Sequence, residues 1–234
     1  MFPDVEAESI GWLTEAQMIE VDRVMIEDLH IELIQMMENA GRNLAQFVIE
    51  LGSPSSVAVL AGSGGNGGGG MVAARHLANR GVDVSLAMSR PPDDFDGVPG
   101  HQLDILQRMG VSVVEDDRLP GDSEVVIDAL IGYSLKGAPR GRLGELVEWA
   151  NTSNASTVAL DTPTGLDVTD GSTPGEFVRA AATLTLALPK VGLRGHLAVG
   201  DLYLADISVP PAVYEAMNAG PAPDFARSPI VRIT

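Results

Sequence analysis

Val57-Ala58-Val59-Leu60-Ala61-Gly62-Ser63-Gly64-Gly65-Asn66-Gly67-Gly68-Gly69-Gly70 is the stretch on which the fold turns. Its four apolar leading residues, Val57 to Leu60, read as a buried strand. Met71-Val72-Ala73-Ala74-Arg75-His76-Leu77, continuing to Arg80, reads as a helix, so the glycines stand between a strand end and a helix start. Gly62, Gly64 and Gly67 fit G-x-G-x-x-G in register, and the context is the one that the motif requires. Glycine permits positive φ and close backbone approach, while the free amides at a helix start favour an anion. A flexible linker explains the run poorly, because so much glycine is entropically costly to fix between two buried elements. Cradling of a phosphate-bearing ligand by residues 62–70 is the expected role.

Outward from this point the pattern repeats. Residues 82–87, 111–114, 125–128, 157–161, 182–187 and 202–205 read as further strands, the last of them ending the sheet. Helices are predicted near 99–109 and 142–151. Upstream, Thr14 and Gln17 form a capping box before Met18, Val21, Met25 and Leu29 at helical spacing. A second helix carries Leu33, Met36, Met37, Ala40, Leu44, Phe47, Val48 and Leu51, and Gly52-Ser53-Pro54 stops it. Strands alternating with helices predict an α/β fold, a mostly parallel sheet joined by right-handed crossovers. The 234 residues fit one domain with a core over about 13–210, and the Pro-containing segment 221–234 reads as a partly unpacked tail.

Composition narrows the function classes. Hydrophobic residues make up 45% and aromatics 4%, so the core is built from Val, Leu, Ile, Ala and Met. The absence of Cys excludes disulfides, thiolate metal sites and a cysteine nucleophile together. A net charge of −17 argues against nucleic acid, which needs a basic face. No apolar run reaches the roughly 18 residues of a spanning helix, and Met1-Phe2-Pro3-Asp4-Val5-Glu6 lacks a leader's layout, so a soluble, cytoplasmic protein is expected. Only Lys136 and Lys190 are lysines, against 13 arginines; this acidic, lysine-poor balance suits a high-salt cytoplasm, where screening relieves self-repulsion, or an ordinary acidic protein.

Ligands of open α/β sheets bind beyond the carboxyl ends of the strands, and two aspartates fall there: Val-Val-Ile-Asp128 and Val-Ala-Leu-Asp161. Acid/base work and coordination of a hard cation both fit these carboxylates, and spacing does not separate the two. Asp167 and Asp170 read as turn caps. The histidines at 30, 76, 101 and 196 show no ligand spacing. A dinucleotide fingerprint also needs an acidic residue about 20 positions on, but Met88-Ser89-Arg90 stands there, which disfavours a hydride-transfer dehydrogenase. Arg90 is a candidate for a 2′-phosphate or merely a solvated cation.

These pieces, in this order, resemble the NAD(P)H-hydrate epimerase (YjeF N-terminal domain) family from about Leu13 to Pro210. Met36-Met37-Glu38-Asn39-Ala40-Gly41 is similar to its L-M-E-N-A-G segment, and Gly62 to Leu77 to its G-x-G-N-N-G-G-D-G-L-V-A-A-R-H-L. Asp128-Ala129-Leu130-Ile131-Gly132 resembles D-A-[LI]-F-G, Asp161-Thr162-Pro163-Thr164-Gly165-Leu166-Asp167 resembles D-[IV]-P-S-G-[LI]-D, and Thr185 to Leu193 resembles T-F-x-x-P-K-x-G-L. The resemblance implies a Rossmann-like three-layer fold with helices on both faces of the sheet. It implies interconversion of the R and S forms of hydrated NADH and NADPH, repaired further by a separate dehydratase, and often a homodimer.

Carried over by position, the resemblance places substrate contacts at Gly65, Asn66, Gly67, Gly68 and Gly69, at Gly132, Tyr133, Ser134, Leu135, Lys136, Gly137 and Ala138, and at Asp161. Potassium ligands fall on Asn66, Asp128 and Thr164. Asp161 is assigned the acid/base role, since epimerisation by loss and return of a hydroxyl needs a proton donor beside a cationic intermediate. Gly65 stands for the family's first loop Asn, Gly69 for its Asp, Tyr133-Ser134 for Thr-Gly and Thr164 for Ser. Loss of the loop carboxylate at Gly69 leaves a catalytically impaired nucleotide-binding protein as the alternative.

Overall fold

The run Ser56–Ala61 forms strand β2, and its side chains alternate between two separate cores. Val57, Val59 and Ala61 pack with Phe47, Met71, Leu77 and Leu106 on one face of the sheet. Ala58 and Leu60 pack with Leu146, Val147 and Ala150 on the other. Burial on both faces is why the strand is apolar throughout rather than alternating.

The computed structural model describes residues 2–115 and 118–234; Met1, Asp116 and Asp117 lie outside the described residues. In chain order the remaining strands are β1 (Asp4–Val5), β3 (Asp83–Met88), β4 (Ser112–Val113), β5 (Val125–Ala129), β6 (Ser156–Leu160), β7 (Ala182–Leu186), β8 (Asp201–Ala205) and β9 (Ile230–Ile233). The helices are α1 (Glu15–Arg23), α2 (Leu33–Gly52), α3 (Gly65–Ala78), α4 (Gly97–Arg108), α5 (Arg142–Thr152) and α6 (Pro211–Ala216). Among the described residues the sheet order is β1-β9-β8-β7-β6-β5-β2-β3-β4, parallel at every pairing except β8 with β9. From β2 the chain runs through β3 to β4 at one edge, then returns to β5 on the opposite side of β2. The reversal opens a crevice beyond the ends of β2 and β5, where such sheets take their ligands.

The expected mostly parallel α/β architecture is what the chain adopts, with α2, α3 and α4 over one face and α5 over the other. Thr14 and Gln17 form the anticipated capping box at α1. Beyond Arg23 the chain continues in a single π-helical turn, Val24–Asp28, closed by Leu29 N–H donating to the Val24 carbonyl at 2.9 Å.

Two expectations are corrected. The end of the tail is packed: Ile230 and Val231 are each 1% exposed, and β9 pairs with both β8 and β1, so β8 is not the last strand, while 221–229 forms no helix or strand. Both pairings join residues distant in sequence, which local pattern does not reveal. The second correction concerns the glycines. Helix α3 begins at Gly65, not Met71, so most of the supposed loop is helix. Glycine disfavours a helix by about 1 kcal/mol relative to Ala, yet this one is pressed too closely for side chains. A Cβ on Gly70 would lie 2.4 Å from the Ala129 Cβ, and one on Gly68 2.4 Å from the Met37 Sδ. Gly41 of α2 completes the seam, its Cβ position lying 2.6 Å from the Gly69 carbonyl oxygen.

Candidate active site

A cavity of about 800 Å³ opens at the crevice. The turn Gly62–Gly64 and the start of α3 form one side of it, and the loop after β5 another. Backbone contact holds these two together: a Cβ on Gly62 would lie 1.8 Å from the Leu130 carbonyl oxygen, and one on Gly67 1.7 Å from the Gly62 oxygen. Only glycine permits so close an approach. The start of α3, where unpaired helix amides suit an anion, lines the cavity at Gly65 and Asn66. Arg90, beyond β3, and Arg140 add cationic side chains to the lining; Arg90 lies 3.7 Å from the Asp94 carboxylate.

Of the residues singled out from sequence, Gly65, Asn66, Gly69, Gly132, Tyr133, Ser134 and Asp161 line this cavity. Gly67 and Gly68 instead face the Gly62 backbone and Met37. Leu135, Lys136, Gly137 and Ala138 lie outside the lining, with Ala138 against Gly175. Gly65 has open space where a side chain would stand.

Asp161 follows β6 directly, and its backbone is left-handed, at φ 66°. The Thr162 N–H donates back to the Leu160 carbonyl at 2.8 Å, closing a three-residue turn around it. Non-glycine residues rarely hold such a conformation unless their surroundings impose it, and such residues cluster at active sites. What holds Asp161 is Lys190. This lysine is fully buried and ion-pairs with the Asp161 Oδ1, while also donating to the Leu186 carbonyl at 2.9 Å and the Thr185 hydroxyl at 3.3 Å. The Leu186 N–H reaches the same carboxylate oxygen at 3.3 Å. Oδ2 faces Gly132, whose absent Cβ would lie 3.2 Å from it and 3.4 Å from the Asn66 side chain. A larger residue at 132 would therefore fill the gap between Asp161 and Asn66.

Asp128 is fully buried. It accepts from the Thr164 N–H and hydroxyl, both at 2.7 Å, and from the Leu130 N–H at 3.2 Å. Burial pushes its carboxyl up to about 6, against the pull of those hydrogen bonds, and no basic side chain pairs with it among the described residues. The Thr164 hydroxyl also lies 3.3 Å from the Ile131 carbonyl oxygen. Asn66, one residue into α3, has a buried amide nitrogen with no partner among the described residues. Carboxylate, hydroxyl, carbonyl and amide make an oxygen-rich donor set suited to a hard, weakly charged cation. An unpartnered amide beside Gly132 fits such an occupant once its oxygen, rather than its nitrogen, is turned inward.

Two further groups escaped the sequence reading. Lys190 was visible as one of only two lysines and within Pro189-Lys190, but nothing local signals that it reaches Asp161. Asp22 also lines the cavity and accepts a hydrogen bond from the Tyr133 hydroxyl. Its signal was positional: it lies four residues after Met18 and three before Met25, both buried, and so on the apolar stripe of its helix. Burial raises the Asp22 carboxyl, and the Tyr133 hydrogen bond partly offsets this.

Residues 33–192 match the family model described as YjeF-related protein N-terminus. An NAD(P)H-hydrate epimerase of Dehalogenimonas lykanthroporepellens is 46% identical over 218 residues, covering 91% of this chain and 88% of that protein. A bifunctional NAD(P)H-hydrate repair enzyme Nnr of Hyperthermus butylicus is 38% identical over 194 residues, 79% of this chain but only 36% of its own length. In fold, the crystal structure of yeast ynu0 superposes with a TM-score of 0.84 at 23% identity, covering 95% of this chain and 99% of that one.

Proposed function

Since this chain belongs to the YjeF-related protein N-terminus family, we propose that it is an NAD(P)H-hydrate epimerase, an isomerase that interconverts the R and S forms of hydrated NADH and NADPH for nicotinamide nucleotide repair. The observation that carries this reading is Asp161, fixed by Lys190 on a left-handed turn and opening onto the cavity beside the amides of α3. The hydrated ring bears a hydroxyl next to its nitrogen. Its departure needs a proton and leaves a conjugated iminium; Asp161 supplies the proton and then a negative charge beside the cation. Lys190 is the positioning group. Substrate phosphates fit the start of α3 at Gly65, Asn66 and Gly69, with Gly132, Tyr133 and Ser134 against the ring side; Gly67 and Gly68 keep the helix close, and Leu135 to Ala138 carry the loop onward.

We assign the oxygen cluster of Asn66, Asp128 and Thr164 to a potassium ion, which when bound would place positive charge beside the nucleotide phosphates. We further propose that residues 1–234 work as one domain in the cytoplasm, that a separate dehydratase takes up the product, and that the protein forms a homodimer. The exposed Ile26, Leu29 and Ile34 favour the last. The impaired-binder alternative gains nothing from Gly65, which faces open space; Gly69 lines the cavity with the Leu160 Cδ2 3.0 Å from where its Cβ would stand.

The test is to mix both NADHX epimers with an S-specific dehydratase and follow the R form. Faster loss of R when this protein is added supports the reading; measurable nucleotide binding without acceleration contradicts it.

A further inference from the structure

Inverting a carbon centre by loss and return of water puts the departing and arriving oxygens on opposite faces of the ring, and a side chain fixed on one turn, as Asp161 is, suits one face. A second carboxyl lines the same cavity from a different element: Asp22, on α1, hydrogen-bonded to the Tyr133 hydroxyl from the loop after β5. Asp22 sits on the stripe that Met18 and Val21 of α1 form with Met25 of the following π-helical turn, and it has no cationic partner within hydrogen-bonding reach among the described residues. Arg23, next in the chain, is taken up by Glu20, Glu27 and Asp28.

We propose that Asp22, oriented by Tyr133, is the second acid/base group of the epimerisation, working on the ring face opposite Asp161. This rests on the epimerase reading above. In one direction a proton shared by the Lys190–Asp161 pair passes from Asp161 to the ring hydroxyl. The carbon–oxygen bond breaks, water leaves, and the nitrogen lone pair closes the iminium. On the other face a water oxygen forms the new bond to the same carbon, the Asp22 carboxylate takes its proton, and the π pair returns to nitrogen. One proton has moved from Asp161 to Asp22 and returns through solvent; the reverse direction exchanges their roles. Burial is what chiefly raises both the Asp22 carboxyl and the Tyr133 hydroxyl. Their hydrogen bond comes next for Asp22, and the charges of Asp161, which raises, and Lys190, which lowers, act on it less; Asp22, Asp161 and Glu15 act on Tyr133. Both carboxyls line the one cavity from separate elements, as groups serving opposite faces of one ring must.

Oxygen exchange separates the two faces. Each purified NADHX epimer is incubated in ¹⁸O-water with wild type, Asp22→Asn, Asp161→Asn or Tyr133→Phe, and both label uptake and inversion are followed. Asp22→Asn is expected to lower inversion of both epimers by about 10²–10³-fold, while one epimer still exchanges its hydroxyl with retention through Asp161. Asp161→Asn should leave exchange in the other epimer. Tyr133→Phe keeps the carboxylate but removes a hydrogen bond to its charged form, so the acid limb of inversion should move to higher pH. Inversion by Asp22→Asn within about twofold of wild type, parallel loss of exchange and inversion in both epimers, or an unmoved pH profile in Tyr133→Phe would each overturn the proposal. A wild type that neither exchanges nor inverts would instead refute the epimerase reading.

Discussion

Asp161 and Lys190 form a unit in which each depends on the other. A lysine with no exposed surface is tolerable only while its charge is met, and here one carboxylate oxygen, one carbonyl and one hydroxyl meet it. Removing either partner strands the other in a low-dielectric site. Lys190→Met is therefore expected to destabilise the fold by about 3–5 kcal/mol, measured by urea denaturation, and to lower epimerisation as Asp161 loses its anchor. A loss below 1 kcal/mol would mean that the pair is solvated in a way its burial denies. At this scale the sequence was half legible. Asp128 and Asp161 stood out by closing apolar runs; Asp161 lines the crevice, whereas Asp128 is buried outside its lining. Lys190 and Asp22 did not stand out, because their roles come from contacts across 29 and 111 residues of chain, to Asp161 and Tyr133 respectively.

The glycine run teaches the corresponding lesson for an element. Its position between strand and helix was plain, and so was its suitability for an anion. What local reasoning could not show is that glycine here serves packing as much as binding, drawing α3 against α2 and β5. Propensity favours a loop; tertiary contact makes a helix. Substitutions distinguish the two roles along the same helix. Gly65→Ala, with nothing within 4 Å, should raise stability by up to about 1 kcal/mol. Gly70→Ala, meeting the Ala129 Cβ at 2.4 Å, should lower it by about 1–3 kcal/mol. Equal effects in thermal denaturation would contradict a packed seam. Strand identities, by contrast, were readable throughout the central sheet, because burial on both faces leaves an apolar run that no surface helix imitates. The pairing of β1 with β9 was not, since two short segments at opposite ends of the chain carry no common pattern.

Across the whole molecule, the balance of charge bears on stability. A net charge of −17 on 234 residues repels itself, since 15 Lys and Arg stand against 32 Asp and Glu. Raising NaCl from about 10 mM to 1 M shortens the screening length from about 30 to 3 Å, so the melting temperature should climb. An unchanged melting temperature in dilute buffer would remove the case for a high-salt setting. A bound potassium ion predicts something separate: at constant ionic strength, exchanging choline for potassium should stabilise the protein further, through the Asn66, Asp128 and Thr164 oxygens. No added stabilisation would contradict that assignment. The claim on which everything else depends is that this cavity performs epimerisation through Asp161, and the direct measurement is the rate of R to S conversion of NADHX, followed by chromatography, for wild type and Asp161→Asn. Asparagine keeps an oxygen for Lys190 but cannot deliver a proton as a carboxyl does. Conversion well above the uncatalysed rate in wild type, falling by about 10²-fold or more in the variant, is the predicted result; a variant that converts at the wild-type rate would contradict it.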